Sequence, residues 1–147
     1  MEITKITADT FETLLPLARE FEAEIGSPVI RIDPPVFVET WSRFIAAGVG
    51  LVVAAVDPEP VGVLCGFVVP DDLNGEPVAQ EKWWYVTPTY RGSGVGAKLA
   101  TTFERLALAR GAKRISLGSI GHLPAVDAVL RHLGYSPFET HYFKVIA

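Results

Sequence analysis

The sequence has a single cysteine, Cys65, a single methionine and three histidines among 147 residues. One cysteine allows no internal disulfide, and a reducing, cytoplasmic location is the expectation. Three histidines with no second cysteine give no zinc-site spacing, so no metal is expected. Long apolar runs are also missing. Gly48 to Val56 and Val61 to Val69 fall well short of the roughly 18–20 residues that cross a bilayer, and no membrane partner is expected. Met1-Glu2-Ile3-Thr4-Lys5 carries no basic segment ahead of an apolar one, and no signal peptide is read. The formal net charge of −4 leaves no footprint of direct nucleic-acid binding.

What is there suits a folded domain. Hydrophobic residues make up 49% and charged residues 20%, a balance that excludes disorder. About 150 residues bury roughly 68–70% of the unfolded surface, enough for a core without staples. One domain over residues 1–147 is expected. The total charge hides an asymmetry: residues 1–76 carry four bases against thirteen acids, a net of −9, and residues 77–147 nine bases against four, a net of +5. Such a difference suggests that the two halves meet different things.

Residues 2–6 read as a strand. Asp9 with Glu12 reads as a capping box opening a helix with Phe11, Leu14, Leu15, Ala18, Phe21 and Ile25, kinked near Pro16 and ended by Gly26. Asp33-Pro34-Pro35 restarts a helix through Trp41 and Phe44 that stops at Gly48. Leu51–Val56, Val61–Val69 and Val78–Val86 read as strands, the middle one apolar on both faces. Asp57-Pro58-Glu59-Pro60 and the stretch around Asn74-Gly75 are turns. A helix with Leu99, Phe103, Leu106 and Ala107 inward closes at Gly111. A strand over Arg114–Ile120, a helix over Pro124–Leu133 and a β-rich tail from Tyr135 to Ile146 complete an α/β chain.

The informative stretch runs from Val86 through Pro88, Tyr90, Arg91, Gly92, Ser93, Gly94 and Val95 to Gly96. A strand ends, a proline turns the chain, and glycines let the backbone approach a ligand where a helix begins. Free N–H groups and the helix dipole there favour an anion, and Arg91 adds a positive charge. A P-loop string is absent. A dinucleotide fingerprint is formally met by Gly92, Gly94 and Ala97, but no acid ends the next strand at Ile120 to bind a ribose. Arg-x-x-Gly-x-Gly, as Arg91, Gly94 and Gly96, fits the neighbourhood.

With Val-x-Pro-x-Tyr ahead of it and Leu133-Gly134-Tyr135 about forty residues later, this stretch resembles the GNAT superfamily of N-acetyltransferases. The resemblance extends over nearly the whole chain. It implies an α/β (α+β) single domain with a mixed central sheet of about six to seven strands flanked by about four helices. It also implies acetyl-CoA or another acyl-CoA as co-substrate, with transfer of the acyl group to a small-molecule or peptide amine. The pyrophosphate would lie on the backbone of Gly92, Ser93, Gly94, Val95 and Gly96, with Arg91 at its edge. The pantetheine arm would run beside the end of the motif strand, at Tyr85 and Val86, where the Val86 N–H would polarise the thioester.

Acyl transfer requires a neutral amine, so an ammonium of pKa about 10 must first lose a proton. In this family a carboxylate on the motif strand often serves, and Glu81 is the only acid there. Strict alternation puts Glu81 on one face with Trp83 and Tyr85; a bulge, common in this strand of the family, would switch that register. The alternative for Glu81 is an exposed glutamate paired with a nearby base. The family's general-acid tyrosine falls at Leu130 and its asparagine at Leu123, leaving His122, Ser119 or water to protonate the thiolate. Those departures keep open a non-catalytic CoA-binding or interaction module; a dinucleotide-dependent oxidoreductase is a distant third reading.

Cys65 reads as a small core residue, His132 as a partner of a helix end, and Glu104 as part of a solvated helix face. Of Trp83 and Trp84, on opposite faces, one is expected in the core. The other is a candidate to line the acceptor cleft with Trp41 and Phe37, between residues 27–44 and the motif strand. The edge left by the short tail is expected either exposed or covered by a second subunit, which would make a homodimer. The +5 half suits a cofactor with several negative charges, and the −9 half a cationic amine.

Overall fold

The computed structural model of the protein describes residues 1–26, 29–118 and 124–146. β1 (Glu2–Lys5) leads through a short 3-10 helix (Phe11–Leu14) into α1 (Leu15–Ile25), followed by α2 (Pro34–Ala46), β2 (Gly50–Val56), β3 (Pro60–Pro70) and β4 (Pro77–Val86). A second 3-10 turn (Pro88–Tyr90) precedes α3 (Val95–Ala109), β5 (Arg114–Ser116) and α4 (Pro124–His132). The sheet order is β1-β2-β3-β4-β5, antiparallel except for the parallel β4–β5 pair that α3 connects. A parallel pair needs such a crossover, and its helix covers one face.

Both sheet faces are covered, which is why β2 and β3 read apolar throughout. On one face Phe11, Leu14, Leu17, Ala18 and Trp41 pack on Val52, Ala54, Val63, Cys65, Trp83 and Tyr85. On the other, α3 sends Val95, Leu99, Ala100, Phe103 and Ala107 onto Leu51, Val53, Ala55, Leu64 and Ala79. Gly66 sits under α3 because nothing larger fits: a Cβ there would lie 2.4 Å from the Gln80 carbonyl oxygen and 2.7 Å from the Phe103 ring.

Asp33 caps α2 as expected, its carboxylate accepting the Val36 N–H, with proline in the first turn. The Asp9–Glu12 capping box does not form. Thr10 precedes the 3-10 helix, and its hydroxyl accepts the Thr7 N–H at 3.0 Å. Pro16 falls in the first turn of α1, where its missing N–H leaves no helix bond unmade, so the chain changes from 3-10 to α there.

Among the described residues five strands form, against the expected six to seven. Residues 135–146 form no strand, and Phe138, Tyr142 and Ile146 are exposed. Their aromatic and β-branched composition suits a sheet, but strand preference is realised only against a ladder partner and a buried face, and the tail has neither here. The strand expected over Arg114–Ile120 is limited to Arg114–Ser116, with residues 119 and 120 outside the described ones.

Candidate active site

The β4–β5 ladder runs Val78↔Arg114, Ala79↔Ile115 and Gln80↔Ser116 and goes no further. β4 continues from Glu81 to Val86 with no strand on that side among the described residues, so the ladder opens at Glu81. Thr87 N–H donates to the Val61 carbonyl at 2.9 Å, and the strand's period of two therefore turns the N–H and C=O of Val86 away from β3. The Val86 carbonyl accordingly accepts from Arg91 Nε at 2.8 Å.

Residues 87–94 carry the chain from β4 into α3. Tyr90 anchors this turn, its hydroxyl donating to Asp57 at 2.8 Å, and Ser93 Oγ donates to the Tyr90 carbonyl at 2.5 Å. Gly92 and Gly94 have φ of 80° and 88°, the left-handed region that glycine enters without strain. A Cβ on either would meet nothing within 4 Å, so the backbone lies open to a ligand. Gly94 is the N-cap of α3 and offers no side chain to the first-turn amides. Lys98 N–H is the first bonded back into the helix, to Gly94 O at 3.0 Å, leaving those of Val95, Gly96 and Ala97 facing the turn. Open backbone, free amides and the positive helix end together fit a pyrophosphate group.

Glu81 stands where β4 and β5 part. Cys65 pairs with Trp83 and Gly66 with Glu81, so Lys82 is an extra residue in β4. This bulge overturns strict alternation. Lys82, whose ammonium lies 5.6 Å from the Phe67 ring, and Trp83 share the α1–α2 face, while Glu81 returns to the face of Ala79 beneath α3. Glu81 Oε2 accepts the Gly118 N–H at 2.9 Å. Burial raises the Glu81 carboxyl from 4.5 to about 7, although the Gly118 bond and Lys82 oppose the rise. Such a group exchanges a proton near neutrality.

Arg91 turns toward α1. Its Nη1 and Nη2 donate to the two Glu24 oxygens at 2.7 and 2.6 Å, and its guanidinium carbon lies 5.3 Å from the Tyr85 ring centroid. Hydrogen bonding to Arg91 holds the Glu24 carboxyl below its usual range. Burial, with Glu24 nearby, pushes Tyr85 up to about 12. One helical turn before Glu24, Glu20 accepts the Thr87 hydroxyl at 2.6 Å. Neither glutamate was legible as part of the site, because acids four apart on a helix look like any solvated face and the partners lie 67 residues away.

Tyr85, Val86 and Arg91–Gly96 are thus gathered at the C-terminal end of β4 and the turn into α3, with Glu81 nearer the point where the β4–β5 ladder ends. His122, Ser119 and Leu123 lie outside the described residues. Trp83 is the core tryptophan, against Phe21 and Phe37, whereas Trp84 faces α3 and Gly96. It therefore does not join Trp41 and Phe37, because the sheet separates them. Beside those two, a cleft of about 280 Å³ lies between Arg31, Ile32 and Asp33. A larger one, about 330 Å³, is lined by Thr4, Thr7, Thr10 and Thr13 and borders neither β4 nor the glycine turn. Glu104 is no solvated-face residue, since the Tyr135 hydroxyl donates to it at 3.0 Å. Cys65 is buried and its thiol is pushed well up.

No helix among the described residues is long and apolar enough to cross a membrane, and no group of three or more His, Cys, Asp or Glu there could hold a metal ion. Similar folds occur in solved acetyltransferases. An aminoglycoside acetyltransferase from an uncultured soil metagenomic sample, in complex with trehalose, matches with a TM-score of 0.80 at 16% identity, over 99% of this chain and 96% of that one. Aminoglycoside 6'-N-acetyltransferase from Acinetobacter haemolyticus matches with a TM-score of 0.73 at 18% identity, over 100% and 99%. An acetyltransferase of Trypanosoma brucei matches with a TM-score of 0.74 at 16% identity, over 99% of each chain. No curated protein matches the sequence. The model of the acetyltransferase (GNAT) family matches residues 12–135. The sheet that opens at Glu81, the glycine turn that caps α3 and that match have one conclusion: the chain belongs to the GNAT acetyltransferase family.

Proposed function

We propose that residues 1–147 act as one N-acetyltransferase domain that moves an acetyl group from acetyl-CoA to a primary amine by direct attack in a ternary complex. The observation that carries this reading is the edge of β4 from Glu81 to Val86, which has no strand partner among the described residues on the β5 side and runs toward the free first-turn amides of α3. The amides of Gly92 to Gly96 hold the pyrophosphate. The Val86 N–H, turned away from β3, is the donor for the thioester oxygen as it gains charge. Glu81, held near neutrality by its burial, takes the proton from the ammonium.

A small-molecule amine heads the acceptor classes, since the named neighbours from soil and Acinetobacter are aminoglycoside acetyltransferases. A single, buried thiol suits the cytoplasm. A calorimetric titration with CoA tests the cofactor, and absence of binding at high micromolar concentration would overturn the reading. Release of free thiol with an amine panel that includes aminoglycosides tests turnover. One observation favours the second reading, a CoA-binding module without catalysis: the residue at the family's tyrosine position, Leu130 on α4, has no titratable group. CoA binding with no thiol release across the panel would select it.

A further inference from the structure

Arg91 is the fixed positive charge of the glycine turn, yet its side chain is committed to the protein. Nε is bonded to the Val86 carbonyl, the two terminal nitrogens form a fork on Glu24, and the guanidinium lies against Tyr85. A bidentate arginine–carboxylate pair fixes orientation as well as distance. To reach the amides of α3 the guanidinium would abandon a carboxylate, a strand-end carbonyl and an aromatic face together.

Those bonds join three elements. Glu24 is in the last turn of α1, Val86 and Tyr85 end β4, and Arg91 directly precedes Gly92. A second tie, Glu20 to Thr87, runs parallel one turn earlier, as residues four apart share a helix face. Accepting the acyl-CoA reading of this edge and turn, we infer that Glu24 is a positioning residue: through Arg91 it holds the end of β4 and the glycine turn in the geometry that receives the pyrophosphate. The Arg91 charge serves α1 rather than the ligand. The helix bordering the acceptor side therefore sets cofactor affinity.

The test compares Glu24→Gln, Arg91→Gln and the double variant, with Glu39→Gln, which breaks an exposed pair with Arg43, as control. Calorimetry with CoA is expected to give dissociation constants about tenfold weaker for both single variants, the size of one charge-assisted bond. The double variant is expected to be no weaker than Arg91→Gln alone. In turnover, Glu24→Gln is expected to raise the acetyl-CoA KM more than it lowers kcat. Weakening by Arg91→Gln with unchanged or tighter binding in Glu24→Gln would make Arg91 a phosphate ligand and overturn the inference. A second arm needs no cofactor. Hydrogen exchange of the backbone amides from Thr87 to Gly96 is expected to quicken in Glu24→Gln and not in Glu39→Gln, and unchanged exchange also overturns the inference. If the unaltered chain fails to bind CoA, the acyl-CoA reading falls and the exchange arm alone decides whether Glu24 holds the turn.

Discussion

Glu81 Oε2 accepts the Gly118 N–H at 2.9 Å across the point where β4 and β5 separate. The bond orients the carboxylate without lowering its proton affinity to the ordinary range, because desolvation outweighs it and leaves the group at about 7. One residue thus combines a fixed position with readiness to exchange a proton, at a cost in stability.

Glu81→Gln separates those two properties. Loss of the proton acceptor is expected to lower kcat/KM by at least about 100-fold and to remove the rise in rate through pH about 7. Stability moves the other way. Below pH 4.5 the carboxyl is protonated whether folded or not, and the variant matches the parent. Between 4.5 and 7 the folded chain keeps a proton that the unfolded chain releases, so parent stability falls as pH rises. At pH 8 the variant is expected to be more stable by up to about 3 kcal/mol. Urea denaturation at pH 4 and pH 8 checks this; a difference that does not change with pH would reject the half-buried, raised carboxyl.

Gly66→Ala tests the close approach of α3 to the sheet. Its Cβ would press on the Gln80 carbonyl and the Phe103 ring, neither at the free end of a flexible chain. Overpacking of this kind costs about 1–3 kcal/mol, and the backbone clash places the variant at the upper end. Thermal unfolding is expected to shift down by several degrees. Since Gly66 pairs with Glu81, activity should fall in the same variant. An unchanged melting temperature would mean that β3 and α3 are further apart than described.

Gly94→Ala separates folding from binding. Nothing within 4 Å obstructs the new methyl, so only the φ of 88° resists it, at about 1–2 kcal/mol. The methyl occupies the open side of the turn, where the pyrophosphate is proposed to lie. Calorimetry is therefore expected to show CoA affinity falling by more than tenfold while the chain remains folded by circular dichroism. Retained affinity would place the phosphates elsewhere.

The parts of this molecule legible in its sequence are those written in local chemistry. Asp33 with two prolines specifies the start of α2, and Gly94 ahead of an apolar-striped run specifies α3. The face of Glu81 was legible only through the bulge that the family resemblance suggests, because one inserted residue, Lys82, reverses alternation and its signal lies in pairing with β3. Glu104 read as a solvated acid and Glu24 carried no signal, because their partners, Tyr135 and Arg91, come from distant sequence. The tail misled in the opposite sense, as Tyr142, Phe143 and Val145 have strand composition without a strand to join.

The charge asymmetry between the halves takes a different meaning once the pairs are placed. Glu24 with Arg91 and Asp71 with Arg114 are ion pairs between the −9 half and the +5 half, so part of the difference is consumed inside the fold. What remains can still draw a cationic amine toward α1 and α2, where Glu20 stands one helical turn before the paired Glu24. Attraction of that kind acts over about 10 Å at 0.1 M salt and is screened beyond it. The acceptor KM is accordingly expected to rise with ionic strength for a polycationic amine and to stay flat for a monoamine, which feels the field once. Initial rates between about 20 and 300 mM salt, with acetyl-CoA saturating throughout, measure both slopes. Equal slopes would assign the asymmetry to the internal pairs alone, because an attraction that does not scale with acceptor charge is not electrostatic steering.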